Sequence, residues 1–120
     1  MDIEWNKDAL DLNKLLVVTR GNAEKLKQYL EQFTELIPAR VALLHQYLGE
    51  GDRKMIRQTV HQVSPQLHYF GLRGVAPLIE VVESEYVRMP MEELQNTVRS
   101  LIDKMEIAEK EVRRILESYG

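Results

Sequence analysis

The chain is 120 residues long and carries 16 Lys and Arg against 19 Asp and Glu, a formal net charge of −3. That length suits one domain with a sizeable core, and 44% hydrophobic with 29% charged residues excludes a disordered chain. The weakly acidic balance argues against a nucleic-acid binder, which gathers basic side chains against phosphates. No run approaches the ~18 consecutive apolar residues of a membrane span, so no membrane insertion is expected. With no cysteine there is no disulfide framework, no thiolate nucleophile and no cysteine-held zinc. The opening Met1-Asp2-Ile3-Glu4-Trp5 is acidic where a secretory signal would be basic and then apolar. A cytoplasmic location is the expectation that follows.

Apolar spacing then predicts helices along the whole chain. A short helix before Gly21 is expected to include Leu10, Leu15 and Leu16. The first long helix runs from about Asn22 to Leu48, with Leu26, Leu30, Phe33, Ile37, Val41, Leu44 and Leu48 at helical steps. Asn22 is a plausible N-cap, and Gly49-Glu50-Gly51 supplies the stop. The next runs from Asp52, another good cap, to about Phe70 on a stripe of Ile56, Val60, Val63, Leu67 and Phe70, and Gly71 ends it. A third spans about Val75 to Val87 with Val75, Ile79, Val82 and Tyr86 on one side; Pro77 sits in its first turn, where a missing N–H matters little. The last begins at Pro90, with Glu92 and Glu93 at the positive end of the helix dipole. Its stripe is Leu94, Val98, Leu101, Met105, Ala108, Val112, Ile115 and Tyr119. Short connections between long amphipathic helices make neighbours antiparallel. The expected fold is therefore all-α: an antiparallel up-down four-helix bundle with a short additional N-terminal helix, one domain over residues 1–120.

Most catalytic chemistry finds no footing here. A di-metal bundle needs Glu-x-x-His pairs, and no glutamate in this chain has a histidine three residues on. His45, His61 and His68 lack metal-ligand spacing with carboxylates. Phosphate-cradling glycine loops, nucleophile elbows and kinase or ATP-binding segments are missing. No metal and no cofactor are expected on this chain.

One helix face stands out. At ~100° per residue from the core stripe, His61 falls at ~140°, Pro65 at ~180°, His68 at ~120°, Lys54 and Leu72 at ~160°, Arg57 at ~100° and Ser64 at ~80°. His61 should therefore face solvent on a rigid helix. Arg57, one turn before it, and His68, two turns after it, reach the same flank. Cationic neighbours disfavour a protonated imidazole and would hydrogen-bond an added phosphoryl group. Pro65, four residues after His61, removes the N–H that would bond the His61 carbonyl, and a local bend is expected there. His45 is expected at the surface. An isolated surface histidine is usually no more than that.

These residues also fall in a frame. His61 is followed by Val63, Ser64 and Pro65, then by Phe70-Gly71, Val75, Leu78 and Val82-Glu83; upstream lie Leu12-x-x-Leu15, Gly21-Asn22, Leu30-x-x-Phe33, Leu44, Leu48 and Gly51-Asp52. From about Leu12 onward, this ungapped spacing resembles the histidine-containing phosphotransfer (HPt) domain of bacterial multistep phosphorelays. The usual lysine three residues after the histidine is Ser64 here, and the usual glycine after it is Pro65. The resemblance implies a phosphocarrier rather than a turnover enzyme. His61 would be the phosphorylated nucleophile, with Arg57 and His68 as electrostatic helpers and Ser64 as a hydrogen-bond donor. Lys54, Pro65, Leu72 and part of the N-terminal helix would form the docking surface. Implied partners are response-regulator receiver domains, which would hold the Mg²⁺, and a hybrid sensor histidine kinase. The alternative is a non-catalytic adaptor of the same fold that binds receivers or kinases without carrying phosphate.

Overall fold

The computed structural model describes residues 3–119; Met1, Asp2 and Gly120 lie outside them. Five helices follow one another: α1 (Asn13–Thr19), α2 (Ala23–Glu50), α3 (Arg53–Tyr69), α4 (Ala76–Glu85) and α5 (Met91–Ser118). No strand occurs among the described residues. Each α2–α5 helix packs on two others in a closed ring, α2 on α3 and α5, α4 on α3 and α5, while α1 lies on α2. This is the expected four-helix bundle with its short N-terminal addition.

The caps explain where the elements start. The Asn22 carboxamide accepts from the Lys25 N–H at 3.0 Å, and the Asp52 carboxylate accepts from the Met55 N–H at 3.1 Å. Each satisfies one of the orphan donors of a first turn. α2 ends at Gly51, in the left-handed region at φ +65°, whose N–H closes on the Leu48 carbonyl. Gly49 and Glu50 still belong to the helix, so the stop comes later than the glycine pair suggests. Leu10 falls ahead of α1 yet is fully buried, held in the core by an irregular segment. α4 is shorter at both ends than its apolar pattern, with Val75 at its N-cap and Tyr86 at its C-cap.

The predicted stripes form the core. Leu26, Leu30, Phe33, Ile37, Val41, Leu44 and Leu48 of α2 are buried, as are Leu94, Val98, Leu101, Met105, Ala108, Val112 and Ile115 of α5. Tyr119, at the end of that stripe, is only half-buried. Phe70 stacks on Phe33 with ring centroids 4.1 Å apart, which ties the end of α3 to the first half of α2. Two prolines sit inside helices, Pro38 in α2 and Pro65 in α3, both on the exposed side. α3 stays helical through Pro65. An outward proline avoids a clash in the core, and water can serve the carbonyl it leaves without a donor.

The segment ahead of α1 is strapped across the bundle by polar contacts that apolar periodicity could not foretell. Glu111, buried on α5, accepts from the Asn6 N–H at 2.6 Å and from Arg114 at 2.7 Å. Arg73 donates to the Lys7 carbonyl at 2.8 Å, and its backbone N–H to the Ala9 carbonyl at 3.2 Å. The hydrogen-bonded Arg114 guanidinium, assisted by the Asn6 N–H, holds the Glu111 carboxyl below its ordinary value of 4.5 against the opposing effect of burial. In the unfolded chain that carboxyl returns to 4.5. Its contribution to stability is therefore whole above that pH and is lost as pH falls through the lower folded value. Glu111→Ala should cost roughly 1–2 kcal/mol at neutral pH and remove this acid-sensitive component. Unfolding curves from pH 7 to 3, followed by the fluorescence of the single tryptophan, Trp5, check it.

Candidate functional site

α3 and α4 run antiparallel, and their facing side chains pair in descending register. Arg53 of α3 donates to the carbonyls of Tyr86 at 2.8 Å and Met89 at 2.6 Å, clamping the end of α4. One turn on, the Arg57 guanidinium carbon stands 6.0 Å from the centroid of the Tyr86 ring. One turn further, His61 Nδ1 lies 2.6 Å from Glu83 Oε1. Beyond that, Ser64 and His68 share a shallow cleft of about 390 Å³ with Ala76, Ile79, Glu80 and Glu83. Residues at i, i+4 and i+8 of α3 thus meet successive turns of α4, as helical spacing requires.

The His61 side chain is 61% exposed, and Glu83 is 31% exposed. An ionised carboxylate can only accept, so Nδ1–H donates and carries the hydrogen. In the neutral ring the lone pair then resides on Nε2. The carboxylate orients the imidazole as well as selecting its tautomer. The result is a surface imidazole held at one nitrogen, with the other available as a nucleophile.

Of the residues singled out in the sequence, His61, His68, Lys54 and Pro65 are exposed and Arg57 and Ser64 half-buried, in keeping with their helical angles. His45 is exposed as well. Leu72 is a correction. It is only 6% exposed and belongs to the core, so it cannot rim a docking surface. The helical angle assigned to it has no meaning, because α3 ends at Tyr69 and Gly71 turns the chain at φ +62° before Leu72 is reached. The charged group in contact with the imidazole is Glu83, while the Arg57 guanidinium stands over the Tyr86 ring. Glu83 was not assigned a role in the sequence. Its place beside Val82 in the sequence frame was a signal for it, but its pairing with His61 needs the register between α3 and α4 to be read.

On the other flank of Pro65 lies an apolar groove of about 590 Å³ between α2 and α3, lined by Tyr29, Phe33, Leu36, Pro65, Tyr69 and Phe70. Exposed Val17 and Val18 of α1 add apolar surface to the molecule. No cluster of metal-ligating side chains occurs among the described residues, and no described helix is long and apolar enough to cross a membrane.

No protein-family model matches the sequence, and no curated protein does. Among solved structures, the chain is similar to the HPt domain of the Hpt sensor hybrid histidine kinase from Shewanella, with a TM-score of 0.78 and 21% identity over 94% of this chain and 97% of that one. It is also similar to histidine-containing phosphotransfer protein B from Pseudomonas aeruginosa, with a TM-score of 0.71 and 24% identity over 95% of this chain and 96% of that one. The chain therefore has the fold of histidine-containing phosphotransfer domains.

Proposed function

We propose that this chain is a phosphocarrier that accepts a phosphoryl group from a receiver-domain aspartate onto His61 and passes it to another receiver aspartate. The observation that carries the reading is the 2.6 Å contact of His61 Nδ1 with Glu83 on a largely exposed ring, within an HPt fold. In the forward step the Nε2 lone pair forms a P–N bond as the P–O bond to the aspartyl carboxylate breaks, and the leaving oxygen keeps that electron pair. The ring becomes an N-phosphorylated imidazolium whose Nδ1–H faces the Glu83 carboxylate, so the developing positive charge meets a fixed negative one. The reverse step returns the pair to nitrogen. Positioning and charge stabilisation are the work asked of this chain. Mg²⁺ belongs to the receiver, and this chain needs no cofactor of its own in the scheme.

Partners in this reading are receiver domains and, upstream, a hybrid sensor histidine kinase, in a cytoplasmic setting. The receiver would approach over His61 and Pro65, with Lys54 at the edge and the groove beside Tyr69 taking its apolar contacts. Ser64 can donate one hydrogen bond to a phosphoryl oxygen, and His68 can add a second donor from the same cleft. The adaptor reading draws support from Ser64: with Glu80 and Glu83 lining that cleft, no Lys or Arg stands there to neutralise phosphate.

One experiment separates the two readings. Receiver domains labelled through a small phosphodonor are mixed with the chain, and the chain is tested for label stable to alkali and lost in acid. Uptake is expected; its absence with every receiver tried would overturn the phosphocarrier reading in favour of the adaptor. Glu83→Ala should slow uptake by about tenfold to a hundredfold, the scale on which groups that hydrogen-bond the far nitrogen of a metal-bound histidine act. Glu83→Gln, which keeps an acceptor without the charge, should fall between. An unchanged rate in Glu83→Ala would remove the carboxylate from the mechanism.

A further inference from the structure

Arg53, Arg57 and His61 recur every four residues along α3, and the outer two are firmly tied. Arg53 holds two backbone carbonyls, and His61 holds Glu83. Arg57 between them is not. Its Nε–H is buried without a hydrogen-bond partner, and none of the ion pairs among the described residues includes it. The guanidinium carbon stands over the face of Tyr86, 6.0 Å from the ring centroid. A buried donor without an acceptor is costly and asks for an explanation. Arg53 also holds the Tyr86 backbone carbonyl, while the Tyr86 ring faces Arg57.

We propose that Tyr86 positions Arg57 as a phosphoryl clamp: the ring parks the guanidinium, unpaired, one helical turn from His61 and releases it to the phosphoryl group once His61 carries one. The proposal rests on the phosphocarrier reading. Residues at i and i+4 have Cβ atoms only ~5–6 Å apart, within the reach of an arginine side chain. An aromatic face attracts a cation weakly, whereas a phosphoryl dianion offers charge-assisted, bidentate acceptors that the planar fork matches. Moving from one to the other also gives the orphan Nε–H an acceptor. The ring thus prevents the cation from pairing elsewhere, notably with Glu83, before phosphate arrives. The clamp would supply the positive charge that Ser64 does not.

The test uses the full isotope-labelled chain, with His61 phosphorylated by phosphoramidate so that no receiver is needed. On phosphorylation the Arg57 Nε–H resonance is expected to move downfield and exchange more slowly with water, and the Tyr86 ring resonances should shift as the cation leaves. Arg57→Ala and Tyr86→Leu should each shorten the phosphohistidine lifetime by about threefold to tenfold, since neutralised phosphoryl oxygens expel the group less readily. Arg57→Lys and Tyr86→Phe, which keep the charge and the ring, should restore most of it. Phosphohistidine that forms while the Arg57 and Tyr86 signals stay in place, with an unchanged lifetime in Arg57→Ala, would overturn the clamp and leave the functional reading standing. Failure of His61 to take phosphate from both phosphoramidate and charged receivers would overturn both.

Discussion

A chain carrying His61→Gln is expected to take up no alkali-stable, acid-labile label from a phosphorylated receiver, a loss on the order of a thousandfold or more in rate. The carboxamide nitrogen has its lone pair drawn into the carbonyl and cannot form the P–N bond. The substitution should leave the fold alone. His61 points to solvent, the glutamine N–H can still donate to Glu83, and exposed substitutions of this kind stay within about 0.5 kcal/mol. Thermal unfolding superimposable on the parent chain would show that the loss is chemical. His68→Gln and His45→Gln provide the contrast, because among the described residues neither ring has a carboxylate on one nitrogen; both variants should still accept label. Label persisting in His61→Gln would remove the nucleophile and with it the phosphocarrier reading.

The largest effect on stability is expected from Gly71→Ala. Gly71 has φ +62°, in the left-handed region, where a side chain costs roughly 1–2 kcal/mol. A Cβ built there would lie 2.3 Å from the Asp11 carbonyl oxygen and 3.0 Å from the Asp11 nitrogen. These are backbone atoms of the strapped N-terminal segment, which cannot turn aside as a flexible side chain would. Overpacking adds a further ~1–3 kcal/mol, so a total near 3 kcal/mol is expected in denaturant unfolding. The damage should fall on the N-terminal segment and on the seating of Leu72, whose N–H closes on the Leu67 carbonyl just past the turn. His61, ten residues earlier on α3, should still accept phosphate below the lowered melting point. Gly51→Ala makes a useful comparison. It has a similar φ of +65°, but its added Cβ would meet only the Met91 side chain at 3.8 Å, so it should cost about half as much.

Local chemistry written in consecutive residues was enough to place the long helices, the caps at Asn22 and Asp52 and the faces they bury, though not the start of α1 or the ends of α4. Asn22 and Asp52 cap because a short polar side chain reaches the first free N–H groups. Leu26 to Leu48 and Leu94 to Ile115 are buried because a 3.6-residue period gathers them on one side. The same period placed His61 outside, and the frame running from Leu12 to Glu83 pointed to the fold that the solved structures share. Leu72 shows where the method stops. A helical angle carried past a glycine at positive φ describes a helix that no longer exists. Contacts between elements distant in sequence were decided by the packed bundle alone. The carboxylate on His61 lies 22 positions away, Arg53 reaches 36 positions to Met89, and Asn6 meets Glu111 across 105. Each needs two helices set at one depth and one rotation, and that is fixed by the summed packing of the core. The solvent-facing histidine and the arginine one turn before it were therefore legible in the chain, while the carboxylate on His61 Nδ1 and the ring under Arg57 became visible only once α3 and α4 were laid side by side.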